Sequence, residues 1–272
     1  MGVDAGEDLS AGTLARVLGD RPVRTYPALV STHADALAWA RAGGAGGAVV
    51  VADYQAAPRG RAGLPWAVRP GLGLGFSLVL RPDLPAEREG WLYAAAVCGI
   101  ADTADPAATV EWPDEVRAGV RRVAAVGVHA ELGPAGVDWA VVTVLADDAQ
   151  PPRGPLLARL VAAMELRGRE PPATVLAAYL PRCATLGRTL RARMIPLGPG
   201  GPEITGRAVD VLADGALVLS NDQGRRIAVR PQHLARLELV SDPRGVAPRP
   251  PPPRPGESPP TSLGDSRITP DR

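Results

Sequence analysis

The chain has 272 residues, 46% of them hydrophobic, and its 30 basic and 29 acidic residues leave a net charge of +1. That balance suits a globular protein with one large and one small domain, and argues against a binder of nucleic acid or of membrane surfaces. Every basic residue is arginine, which excludes chemistry that needs a side-chain amine, because a guanidinium does not give up its proton.

In chain order, "LSAGTLARVLG" (9–19) reads as a short helix and "TYPALV" (25–30) as a strand. "STHADALAWARAG" (31–43) is a second helix, with Thr32 and Asp35 spaced as a capping box and Gly43 and Gly44 as its stop. The apolar run "GAVVVAD" (47–53) has the length and composition of a buried strand. "GLGLG" (71–75) leads into a strand over 75–82, not a helix, so it reads as a turn and not a dinucleotide fingerprint. A nearly uncharged core helix covers 88–104, and the segment 108–116 breaks at Pro113. Strands over 121–132 and 138–147 are joined through "GPAG", and helices over 153–169 and 172–183 each follow a proline. Helices and strands mix without βα alternation, which predicts an α+β domain with a mixed sheet. From about 187, short β-type runs are separated by "GPGG", "ADG" and "DQG", which are hairpin signals. The expected layout is a main domain at 1–186, an SH3-like β-barrel at 187–240 and a Pro-rich disordered tail at 241–272.

Cys98 and Cys183 have no CxxC spacing, and the three histidines have no ligand spacing, so no metal site is expected. The acidic start lacks the apolar core of a signal peptide, and no apolar run reaches the roughly 18 residues of a membrane span. A cytoplasmic protein is expected.

The segment "ADYQAAPRGRAGLPW" (52–66) stands apart. It sets Arg59 and Arg61 around Gly60 on a loop rich in glycine and proline. Two guanidiniums at this spacing can fork onto phosphate or carboxylate oxygens, and Gln55 offers both an amide donor and an acceptor. The acidic residues Glu111, Asp114 and Glu115 around Pro113 read either as a solvated turn or as a metal or nucleotide contact.

"STH" before a helix, "VVVADYQAAPRGRAGLPW", "LVLRP", "VEWPDEV" and "YLPRCATLGRTLRAR" with the β runs after it occur in the order found in biotin protein ligases. The resemblance covers roughly residues 9–240 and is to the monofunctional type, without a DNA-binding domain. It implies a mixed sheet with flanking helices, like that of class II synthetases, and an SH3-like C-terminal domain. It also implies activation of biotin by ATP with Mg2+ to biotinyl-AMP, and transfer to a lysine of a biotin carboxyl carrier protein domain. A homodimer is compatible with it. By position, Ser31, Thr32, Gln55, Arg59 and Arg61 match biotin contacts. Arg59, Trp66, Trp112 and Asp114 match the nucleotide side, and Arg61 and Arg122 fall at catalytic positions.

The departures are Pro58 and Leu64 in the loop, His33 for an asparagine, and Arg121 or Arg122 for a catalytic lysine. Glu111 also stands where the family has a lysine. A charge reversed beside a triphosphate costs on the order of 4 kcal/mol per interaction at about 4 Å and an effective dielectric near 20. The resemblance therefore carries an alternative, a catalytically eroded homologue that binds biotin or a partner.

Overall fold

The computed structural model describes residues 6–240, apart from 64, 65, 67, 148 and 197–200. The expected tail at 241–272 and the departure at Leu64 lie outside the described residues.

A seven-stranded mixed sheet forms the centre, in the order β1-β2-β3-β7-β6-β5-β4. Its strands are β1 (Val23–Leu29), β2 (Val49–Gln55), β3 (Leu74–Leu80), β4 (Thr109–Glu111), β5 (Glu115–Ala118), β6 (Arg121–Gly133) and β7 (Gly136–Ala146). β1 and β2 are parallel, and every other pair is antiparallel. Pro27 sits on the edge strand β1, where a missing N–H costs no ladder bond.

Strand periodicity assigns the two faces. Val49 and Val51, then Leu74, Phe76 and Leu78, then Val142 and Val144 turn toward the large core. That core contains α3 (Trp91–Thr103), buried from Trp91 to Ala101, and the inner sides of α4 (Arg153–Arg169) and α5 (Pro172–Tyr179). Val50, Val79 and Val141 turn the other way, against Ala36 and Ala40 of α2 (Thr32–Arg41). α1 (Ala11–Leu18) packs on α4, and Ser10 caps it by accepting from the Thr13 N–H.

The expected helix over 172–183 ends as an α-helix at Tyr179, and a single 3-10 turn at Leu180–Arg182 carries the chain on past Pro181. "VEWPDEV" forms the β4–β5 hairpin, whose turn holds a cis Trp112–Pro113 bond.

The C-terminal region forms a second sheet, antiparallel throughout and ordered β11-β10-β9-β8-β12. It consists of β8 (Thr189–Met194), β9 (Glu203–Val211), β10 (Leu217–Ser220), β11 (Arg226–Val229) and β12 (Leu234–Leu239). Leu190, Ala208, Leu217, Leu219 and Leu234 join the same core as α3, so the two sheets share one apolar interior.

Candidate active site

α2 is only ten residues long and covers part of its sheet face. Beyond its N-terminus that face turns polar. Ser77 on β3 and Thr143 on β7 stand directly opposite each other in register. Thr32 and Gln55 complete a buried group. Gln55 Oε1 accepts from the Thr32 N–H (2.8 Å) and from Thr32 Oγ1 (3.1 Å). Ser77 Oγ donates to Thr32 Oγ1 (3.1 Å) and lies 2.9 Å from Thr143 Oγ1, which is 3.0 Å from His33 Nδ1.

The expected capping box is therefore not what Thr32 does. Ser31 occupies the N-cap without a side-chain cap bond, while the Thr32 hydroxyl is taken up by Gln55 and Ser77. Asp35 turns instead to Arg24 and Tyr26.

Among the described residues, two buried polar atoms here lack a partner, Gln55 Nε2 and Ser31 Oγ. Glycines make the room. A Cβ on Gly75 would come within 2.2 Å of Gln55 Nε2, and one on Gly127 of β6 within 2.8 Å of the Gly60 carbonyl carbon. Gly127 lies opposite Thr143, so the arginine loop crosses the sheet beside the polar group. Burial, and then the nearby His129, push the His33 imidazole down to about 4, which keeps it neutral at physiological pH.

Arg61 belongs to a second cluster. It is 7% exposed, and its Nη1 donates to the Leu234 and Ala235 carbonyls of β12. Its Nε lies 3.1 Å from Asp114 Oδ2, an ion pair without hydrogen-bond alignment. Burial pushes the Asp114 carboxyl up to about 6 against the pull of Arg61. Arg61, Trp66, Trp112, Asp114 and Arg188 line a cavity of ≈ 390 Å³ between the two sheets. Arg122 lies 3.9 Å above the Trp66 ring and grips Asp147 with two nitrogens (3.1 and 3.4 Å). Trp112 is buried and donates its indole N–H to the Gly215 carbonyl (2.9 Å). Arg59 is exposed and turns back to the Gly63 carbonyl.

Apart from Arg59, the predicted residues fall into two groups. Thr32 and Gln55 meet Ser77, Thr143 and His33, with Ser31 next to Thr32 in the chain; Arg61, Trp66, Trp112 and Asp114 line the second cavity, and Arg122 stacks on Trp66. The loop joins the groups where Gly60 crosses Gly127. A wider cavity of ≈ 820 Å³, beside Arg21, Trp91 and Glu165, contains none of the predicted residues.

Sequence reading missed Ser77 and Thr143, whose role depends on the β3–β7 register. It also missed the neutralisation of Glu111. That carboxylate lies 3.1 Å from Arg188 and 3.5 Å from Arg117, and Arg117 bonds Glu115 at 2.8 Å. The expected repulsion assumed an isolated anion, whereas two cations share this one. No three His, Cys, Asp or Glu side chains among the described residues converge as a metal site.

No family model matches the chain. It is 31% identical over 225 residues to the biotin–[acetyl-CoA-carboxylase] ligase of Mycobacterium tuberculosis, covering 73% of this chain and 82% of the relative. It is 32% identical over 113 residues to the bifunctional ligase/repressor BirA of Bacillus subtilis, covering 40% of this chain and 34% of that protein. In fold it resembles the biotin protein ligase of Aquifex aeolicus in complex with biotin and ATP, with a TM-score of 0.59 and 19% identity over 80% of this chain and 99% of the other. It also resembles the Helicobacter pylori biotin acetyl coenzyme A carboxylase synthetase with bound biotinylated ATP, with a TM-score of 0.55 and 16% identity over 77% and 100% of the two chains. With a relative at this identity covered over most of its length, and with the same mixed sheet, the chain belongs to the biotin protein ligase family.

Proposed function

We propose that this protein is a biotin–carrier protein ligase that uses ATP to form biotinyl-AMP and passes biotin to a carrier lysine. The observation that carries the reading is Gln55: its amide oxygen is held by Thr32, while its buried amide N–H has no partner among the described residues. A buried donor left unmet costs about 1–3 kcal/mol, and a ureido or carbonyl oxygen of a ligand would satisfy it.

In this reading a biotin carboxylate oxygen attacks the α-phosphorus of ATP and pyrophosphate leaves. A carrier lysine nitrogen then attacks the acyl carbon and AMP leaves. Thr32, Gln55, Ser77, Thr143 and neutral His33 orient the biotin rings, with Ser31 beside them. Arg59 and Arg61 serve the loop that shields the adenylate from water. Arg122, fixed by Asp147 and Trp66, faces the developing negative charge as a cation that cannot act as a base. Trp112 and Asp114 shape the nucleotide side. Magnesium is proposed to come with the triphosphate, since Mg2+ needs only one or two carboxylates besides phosphate oxygens. The C-terminal sheet is proposed as an SH3-like domain from about 187, the protein as cytoplasmic, and a homodimer as its assembly.

The compensation of Glu111 by Arg117 and Arg188 favours a working ligase over an eroded homologue. The test is incubation with biotin, MgATP and a carrier domain. The expected result is a biotin adduct on the carrier by mass spectrometry and biotinyl-AMP by chromatography. Neither product after prolonged incubation with a folded carrier would overturn the reading.

A further inference from the structure

Among the described residues, Arg153 is the largest fully buried side chain, at 0% exposure. It opens α4, yet its guanidinium turns away from the helix into four hydrogen bonds. Nε and Nη2 grip Asp8 (2.9 and 2.8 Å), while the Arg153 backbone N–H donates to the same carboxylate (2.7 Å). Nη1 donates to Asp53 Oδ1 (2.5 Å) and to the Gly73 carbonyl (3.1 Å). Asp53 Oδ1 also accepts from the Gly71 N–H (3.2 Å).

These partners are the two roots of the arginine loop. Asp53 lies two residues before Gln55 on β2, and Gly73 lies just before β3 and two residues from Gly75, against which the Gln55 amide packs. The β2–β3 ladder stops at Ala52 opposite Gly75. Past that pair, Arg153 carries the connection, so one side chain spans the place where the ladder gives out and the loop begins. Asp8, on the single turn Glu7–Leu9, holds the guanidinium from behind. Gly154 leaves room for this turn, because a Cβ there would meet the Asp8 carbonyl at 3.0 Å.

We infer that Arg153, backed by Asp8, is a positioning residue that fixes both roots of the loop and hence the placing of Gln55 and Arg61. The segment around Asp8 is then part of the site's machinery and not only a lid on the core. This inference rests on reading Gln55 and Arg61 as ligand residues, but the clamp itself can be tested without any ligand.

Asp53→Asn leaves the Asp8–Arg153 pair in place and loosens only the loop root; Asp8→Asn acts through Arg153 alone. The experiment digests the folded full chain with trypsin and measures cuts after Arg59 and Arg61 by mass spectrometry, with urea unfolding followed by tryptophan fluorescence in parallel. The expected result is at least fivefold faster cutting at these two bonds in Asp53→Asn, with an unfolding midpoint like that of the parent. Asp8→Asn should speed the same cuts beyond what its change in stability accounts for. If Asp8→Asn does not fold, Asp53→Asn decides alone. Parent-like cutting in Asp53→Asn overturns the inference. In protein that forms biotinyl-AMP, Asp53→Asn should raise the KM for biotin about tenfold with kcat held. A fall in kcat at unchanged KM would also overturn it. A parent protein without ligase activity would fail the functional reading while the digestion still tests the clamp.

Discussion

Burial shifts both His33 and Asp114 toward the neutral form, and their effects on stability oppose each other. His33 is lowered to about 4, so between its ordinary 6.5 and 4 the folded chain binds fewer protons than the unfolded one. Its contribution is lost as pH falls through that window. Asp114 is raised to about 6, so between its ordinary 3.8 and 6 the folded chain binds more protons, and stability is lost as pH rises. Each slope is at most about 1.4 kcal/mol per pH unit. Urea unfolding from pH 4 to 7 should therefore separate them by substitution. His33→Asn should make stability rise as pH falls toward 4, and Asp114→Asn should make the acid-side loss steeper than in the parent. Identical pH profiles for the two variants would refute both assignments.

At the scale of elements, the site depends on two glycines that let other groups approach a strand. Gly75→Ala would drive a methyl into the Gln55 amide, and Gly127→Ala would lift the loop at Gly60. Both lie in strands whose outer neighbours stay paired, so the fold should persist. Calorimetry should show biotin binding weakened at least tenfold in each, about 1.4 kcal/mol or more. Parent-like affinity in Gly75→Ala would remove Gln55 from the site. The elements themselves were largely legible in the sequence. The valine run at 49–51 and the hairpin signals after 187 depend on local composition, which tertiary packing here reinforces. What stayed hidden depends on distant partners. Ser77 becomes a site residue only through register with Thr143, Glu111 is paired by Arg117 of β5 and by Arg188 just before β8, and Arg153 reads in sequence as one more charged helix residue. Thr32 was legible as a site residue through the family resemblance, whereas its spacing to Asp35 mimics a cap that its hydroxyl does not make.

Over the whole molecule, residues 6–240 behave as one packed body in which the small sheet completes the site. Arg61 reaches across to β12, Arg88 to the Ala213 carbonyl, and the Trp112 indole to Gly215. Trp112→Phe keeps the ring in the core but leaves the buried Gly215 carbonyl without this donor, a loss of about 1–3 kcal/mol. Urea unfolding followed by fluorescence and by circular dichroism should shift to lower midpoint yet remain a single, coincident transition. Two separated transitions would mean that the sheets fold independently.

The cations lining the cavity, Arg61, Arg117, Arg188 and Arg236, are all guanidiniums, and the protein contains no lysine. Under the proposed activity, an acyl-adenylate that escapes the loop meets no side-chain amine on the protein that made it. Such a ligase would not label itself on its side chains, and amine-reactive cross-linkers would mark the carrier while sparing every side chain of the enzyme.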